Sequence, residues 1–217
     1  MEEHIMQRDE KNMQTRRKIM ASAVHEFALH GYEAASMNTI CQQGGISKGI
    51  IYHYFESKEA LYLACVLECF QALTNVLQDK IMTSPETASS KKTASDGDAL
   101  LDLYFKTRLD FFHQHADYAR IFCGAVIIPP PKLRDEIRRI RMDFDALNDA
   151  CFLRILAGRH LRKDLNKEQA TLLFHRLQDF LNACMAALQN NEPDIEKHED
   201  GSRMMLDIFF NGILERK

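Results

Sequence analysis

The chain has 217 residues, with 28 Lys and Arg against 31 Asp and Glu, a net charge of −3, and 46% hydrophobic residues. That balance excludes a disordered, highly charged chain and leaves ample length to bury a core. Nine Gly and five Pro are few, so long helices are expected to dominate.

The opening MEEHIMQRDE is acidic and polar, unlike a secretory signal. Asn12 to His30 predicts an amphipathic helix, with Ile19, Ala23, Phe27 and Ala28 recurring at helical steps and Gly31 ending it. Ser36 is placed to cap a helix over Met37 to Gln43, because its hydroxyl can accept an orphan amide hydrogen bond of the first turn. Gly44 and Gly45 supply a turn, Ser47 caps Lys48 to Phe55, and Ser57 caps the next helix with Glu59 near its positive end. Helix, glycine turn and short aromatic helix, over residues 36–55, are the layout of a helix-turn-helix whose second helix enters the DNA major groove. Between Lys11 and Lys58 six bases stand against three acids, so this segment is electropositive within an acidic chain.

A fourth helix is expected from Lys58 to about Lys80, with Leu61, Cys65, Cys69, Ala72 and Val76 on one face and Met82 as a further candidate for it. Thr83 to Asp98 is polar and reads as a loop. Helical periodicity returns over Ala99 to His115, then over Asp117 to Ile128, which Pro129, Pro130 and Pro131 stop. Lys132 to about Leu156 predicts one long helix, Gly158 to Asp164 a basic connection, and Lys167 to Asn190 and Ser202 to Leu214 the last helices, separated by an acidic loop around Pro193. The expected fold is all-α with about nine helices. The longest apolar run, Ile121 to Ile128, is too short to cross a bilayer, so a cytoplasmic protein without membrane attachment is expected.

Six cysteines, Cys41, Cys65, Cys69, Cys123, Cys151 and Cys184, show no CxxC pair or zinc spacing, and buried reduced thiols are the expectation. Cys65 and Cys69 share a helix face at i,i+4, which leaves redox sensing or metal binding as a rival reading.

From Thr15 to about Leu73 the chain resembles the TetR family of bacterial transcriptional regulators. The resemblance rests on the basic start of the first helix, Phe27 before His30-Gly31-Tyr32, the serine opening the second helix, Gly45-Ile46-Ser47-Lys48-Gly49, Tyr52-His53-Tyr54-Phe55 and Ser57-Lys58-Glu59. Cys41-Gln42-Gln43-Gly44 departs from the alanines common there. The family implies a DNA-binding domain over 12–60 and a helical effector-binding and dimerisation domain over 61–217. On that implication Lys48 and Gly49 approach phosphate or base edges at the start of the recognition helix, with Ser47 as its cap. Ile50, Tyr52 and His53 project outward, while Ile46, Ile51 and Phe55 pack inward. Tyr54 is either a contact or a half-buried support. Ser36, Thr39, Lys58, Arg16 and Arg17 are candidate phosphate contacts, the last two equally readable as a charged helix face.

In the family the later helices enclose an inducer pocket. Phe105, Phe112, Tyr118, Phe122, Met142 and Phe144 are the candidate lining, and Asp110 and Arg141 candidate polar groups that read better as exposed. A wide apolar stripe of Leu173, Leu177, Phe180, Leu181, Cys184 and Leu188, joined by Met205, Ile208, Phe209, Gly212 and Ile213, predicts a two-fold dimer interface. The expected function is a homodimeric repressor on a pseudo-palindromic DNA operator, released by an unknown small-molecule effector. The alternative is a DNA-bound adaptor or activator that works through a protein partner without a ligand. An enzyme is not expected: His113 and His115 fall on different helix faces, and no phosphate loop, nucleophile elbow or HExxH motif is present. No cofactor and no metal are expected.

Overall fold

The computed structural model describes residues 2–83, 94–157, 159–188 and 195–214. Among these residues the fold is all-α, with ten α-helices, one 3-10 turn and a single isolated bridge between Leu161 and Leu214. The helices are α1 (Glu2–Ala34), α2 (Met37–Gly44), α3 (Lys48–Tyr54), α4 (Lys58–Thr83), α5 (Ala94–Gln114), α6 (Ala116–Val126), α7 (Arg134–Ile140), α8 (Met142–Ile155), α9 (Lys167–Leu188) and α10 (Ile195–Ile213).

α1 starts ten residues before the expected Asn12. Gly31, at φ 66° and ψ 177°, breaks its helical path where the sequence places the stop, and one further turn follows. Ile19, Met20, Ala23, Val24 and Phe27 form the buried stripe of α1, which lies against α2, α4 and α6. α4 runs through the middle of the molecule and packs on α1, α5, α6, α7 and α8. Over Lys58–Ile81 α4 is long and apolar enough to cross a membrane, as the core helix of a soluble protein can also be. Its apolar stripe is occupied inside the protein instead: Leu61, Cys65, Cys69, Phe70, Leu73, Leu77 and Ile81 are all buried. Ala72 is half-buried and Val76 exposed, because the buried row keeps its four-residue step through Leu73, Leu77 and Ile81 instead of stepping back to them. The side chain of Met82 lies outside the described residues.

Three expected elements differ. α5 begins at Ala94, so the end of the expected Thr83 to Asp98 loop is helix, while residues 84–93 of that loop lie outside the described residues. The single helix over Lys132 to Leu156 is divided at Arg141 (φ −86°, ψ 2°), after a 3-10 turn that begins at Pro131. Arg138 and Arg139 end α7, while Asp143 and Asp145 begin α8, each charge matching the dipole of its helix end. α10 begins seven residues before the expected Ser202, so part of the supposed acidic loop is helix, and it buries His198 and Glu199. A reciprocal capping box opens α9: Asn166 Oδ1 accepts from the Gln169 N–H at 2.8 Å, and Gln169 Oε1 from the Asn166 N–H at 2.9 Å.

Candidate nucleic-acid interface and bundle cavity

Serine caps and one glycine shape the exposed end of the molecule. Ser36 accepts from the Thr39 N–H at 3.4 Å and opens α2. At the other end Gly45 adopts φ 60°, a left-handed value that suits glycine, while the Gly45 and Ile46 amides donate to Gln42 and Cys41. Ser47 then caps α3 through the Ile50 N–H, and Ser57 caps α4 through the Ala60 N–H. The turn is held from beneath by Glu26, a buried carboxylate that accepts the Ser36 N–H at 2.8 Å. Tyr32 donates to Glu59 at 2.9 Å and links α1 to α4, and burial together with that carboxylate pushes the phenol up to about 12.

α3 buries Ile51, with Phe55 beyond it, and turns Ser47, Lys48, Gly49, Ile50, Tyr52 and His53 outward. Ile50 and Tyr52 are 44% and 42% exposed, large for apolar and aromatic side chains on so short a helix. Lys48 Nζ lies 6.0 Å from the Tyr52 ring centroid. A Cβ on Gly49 would meet nothing within 4 Å, so the helix start is open to close approach. Other expected contacts are held by the protein itself. Tyr54 is half-buried and donates to Asn12 Oδ1 at 3.1 Å, which ties α3 to α1. Lys58 donates to the Glu33 carbonyl at 3.0 Å beneath Tyr32, and the Arg16 guanidinium lies 5.5 Å from the Phe55 ring. Ser36 and Thr39 are half-buried, Arg17 exposed.

The second site lies among α5, α6, α8, α9 and α10, as a cavity of about 80 Å³. Phe105, Phe122 and Phe144 line it. The other three expected residues lie elsewhere. Phe112 is buried behind Phe122, with ring centroids 5.0 Å apart, and Tyr118 bonds Glu68 of α4 and stacks on Phe111. Met142 is 62% exposed, because the break at Arg141 turns it outward. Arg141, expected to be exposed, is half-buried and faces the cavity, whereas Asp110 is exposed.

Sequence reasoning missed the polar centre of this wall. Arg108 is buried and donates twice to Glu199 of α10, at 2.8 and 2.6 Å, and once to the Tyr104 hydroxyl at 2.9 Å. Tyr104 in turn donates to Asn148 Oδ1 at 2.6 Å. The guanidinium sits within 6 Å of the Tyr104, Phe112, Phe122 and Phe144 rings. Burial opposes the Arg108 charge, but Glu199 and Tyr104 outweigh it and hold the group above its usual value. Burial pushes Tyr104 up to about 12 against the pull of Arg108. His198, one residue from Glu199, is buried and held below the usual imidazole value by desolvation, which outweighs the opposing pull of Glu199 and is aided by Arg108. The signal in the sequence was the spacing of Ile195, His198, Ser202, Leu206 and Phe209, which continues the α10 stripe through the acidic segment.

On the expected dimer face Phe180 and Ile208 are 55% and 59% exposed, and Gly212 is open. Leu173, Leu177, Met205 and Phe209 are half-buried, Ile213 is buried, and Leu181 is half-buried where it lines the cavity. The side chains of Cys184 and Leu188 lie outside the described residues. Cys65 and Cys69 are fully buried, and desolvation pushes both thiols well up, which keeps them protonated and unreactive.

Comparison with known proteins places this geometry. Residues 19–65 match the family described as bacterial regulatory proteins, tetR family. The HTH-type transcriptional regulator UidR of Escherichia coli K12 is 44% identical over 54 residues, 25% of this chain and 28% of that protein. RutR of the same strain, also an HTH-type transcriptional regulator, is 27% identical over 122 residues, 56% of this chain and 52% of that protein. The matched region therefore spans between about a quarter and half of these relatives. Among solved structures, Bacillus subtilis FadR in complex with stearoyl-CoA aligns over 91% of this chain and 99% of its own, with TM-score 0.62 and 18% identity. A transcriptional regulator from Saccharomonospora viridis in complex with choline aligns over 94% of this chain and 100% of its own, also with TM-score 0.62 and 18% identity. The structural matches share the fold, and the sequence matches fall on the helix-turn-helix, where residues 19–65 carry the pattern of the tetR family of bacterial regulatory proteins.

Proposed function

We propose that this chain is a homodimeric, sequence-specific DNA-binding regulator, a repressor whose hold on its operator is weakened by a small molecule in the bundle cavity. The observation that carries the reading is the outward face of α3, where Lys48, Gly49, Ile50, Tyr52 and His53 stand exposed over a double-capped glycine turn. An exposed cation at an open helix start suits phosphate, and Ile50 and Tyr52 suit thymine methyls and base edges. Tyr54, Arg16 and Lys58 serve this face as braces, and Tyr54 keeps α3 against α1.

Phe70 supports a coupling between the two sites. It lies on α4, the helix that follows α3, and its ring packs 5.5 Å from Phe122 and 5.4 Å from Phe144, both in the cavity wall. A ligand that moves those rings moves α4, which follows the recognition helix across the Ser57 cap and is tied by the Tyr32–Glu59 bond to α1, the helix that braces α3 through Tyr54 and Asn12. Such a ligand must prefer one arrangement of the helices, since equal affinity for both shifts nothing. That two proteins of this fold were solved with stearoyl-CoA and with choline supports a ligand role.

The small cavity favours a second reading, a DNA-bound adaptor or activator that recruits a protein partner without a ligand. At about 80 Å³ it falls below the roughly 300 Å³ at which drug-sized pockets begin. Anisotropy titration of the purified protein against a pool of random duplexes tests the DNA-binding claim. Binding should weaken steeply with salt and be lost in Tyr52→Ala/His53→Ala with helicity unchanged, whereas unaltered binding in that variant would move the interface elsewhere.

A further inference from the structure

The polar groups of the cavity narrow what can enter it, given the reading of this cavity as the effector site. Its charges are balanced before any ligand arrives. Arg108 is held by Glu199 at 2.8 and 2.6 Å, and Arg141 by Asp145 at 3.1 and 2.9 Å. An entering anion or cation would leave one uncompensated charge among Phe105, Phe144, Phe152, Phe174 and Phe210, an unfavourable transfer. The Tyr104 hydroxyl is occupied on both sides, by Arg108 and by Asn148. His198 is different. Among the described residues its Nδ1 is the one buried side-chain polar atom of the cavity wall that no protein group reaches, in a residue only 5% exposed. A buried polar atom left without a partner is rare enough to call for an explanation.

We propose that the cavity binds a small uncharged hydroxyl compound, an alcohol or phenol with an apolar body, whose hydroxyl bonds His198 Nδ1. A hydroxyl both donates and accepts, so it serves this nitrogen in either tautomer, whereas a carbonyl serves only one. The imidazole is neutral at ordinary pH because burial disfavours its charged form, in keeping with an uncharged guest. Size gives the guest its leverage. The cavity, about 80 Å³, is smaller than the roughly 150 Å³ that admits a benzene ring, so a ring-sized body must spread α5, α6, α8, α9 and α10 to enter. The ligand thereby prefers the spread state, the differential affinity that a switch requires.

Four probes with one body and different heads test the inference: benzyl alcohol, toluene, benzoate and benzylammonium, titrated into the full chain by calorimetry. Benzyl alcohol should bind about tenfold tighter than toluene, the worth of one buried hydrogen bond, and both ions should bind more weakly still. In His198→Leu its affinity should fall to that of toluene, and in His198→Asn, whose amide lies near the Nδ1 position, the preference should persist. Melting curves identify any variant that fails to fold, and His198→Asn then still reports the preference. Equal binding of benzyl alcohol and toluene, unchanged affinity in His198→Leu, or no binding by any probe would overturn the proposal. Tightest binding by benzoate, lost in Arg141→Gln, would overturn the ligand class and leave an effector site standing. If benzyl alcohol binds as expected but leaves affinity for a duplex unchanged, the ligand class stands and the effector reading falls.

Discussion

Lys48 and His198 are single side chains whose surroundings give opposite expectations for their loss. Lys48 is exposed at the start of α3, with its ammonium beside Tyr52, so its removal costs the fold little. Lys48→Ala should weaken duplex binding broadly across sequences and reduce the slope of log affinity against log salt by about 1, as read by titration at several salt concentrations. An unchanged slope would remove Lys48 from the phosphate contacts. His198 is buried beside Glu199, within the field of Arg108, and its folded value is depressed. The unfolded chain therefore binds a proton that the folded chain refuses once pH falls below about 6.5, the ordinary imidazole value. Stability should be lost as pH drops through that window, at up to about 1.4 kcal/mol per pH unit from this residue. Denaturant melts of wild type and His198→Leu across this range should diverge on the acid side, with the variant showing the shallower fall. At this scale the sequence showed the outward face of α3, because serine caps and glycine turns act locally. It did not show the Arg108–Glu199 pair, since partners 91 residues apart leave no local pattern.

Helices α5 and α10 are joined by that pair, with side chains 7% and 3% exposed. Removing one member strands the other charge in a ring of aromatics, so Arg108→Met should cost about 3–5 kcal/mol. Replacing both, in Arg108→Met/Glu199→Met, should recover most of that loss, because two apolar side chains need no partner. Chemical denaturation of the three proteins checks the ordering, and a double variant as unstable as the single would contradict it. The same elements show where periodicity misled. The acidic composition of residues 195–200 suggested a loop, yet the inward spacing of Ile195, His198, Ser202 and Leu206 is helical, and the pairing of buried Glu199 with Arg108 overrides composition. The break at Arg141 was also written in charge, with Arg138 and Arg139 before it and Asp143 and Asp145 after it. Periodicity alone carried the helix through.

For the whole molecule, a regulator that reads a pseudo-palindrome needs two recognition helices held at one spacing. The apolar side chains left outward on α9 and α10, Leu172, Phe180, Met204 and Ile208, offer the surface for that pairing. Phe180→Asp/Ile208→Asp should sediment as a monomer. Its duplex affinity should fall by about a hundredfold or more, because the second half-site is no longer bound within one molecule. A dimer that survives both charges would place the interface on another face. The fold class was legible in the sequence because caps, breakers and apolar steps all pointed to helices. The cavity was not, because helix periodicity identifies an inward face without saying whether it meets a neighbour or a void. Phe112 and Phe122 are both inward, and only Phe122 reaches the cavity.

The central claim, a dimer that reads DNA through α3, is tested most directly by selecting bound sequences from a random duplex library with the purified chain at near-physiological salt. The account predicts enrichment of a pseudo-palindrome whose half-site centres lie about one helical turn apart, roughly 34–36 Å, or slightly more. A well-folded dimer that enriches no sequence would contradict it, and would leave the helix-turn-helix as scaffold rather than reader.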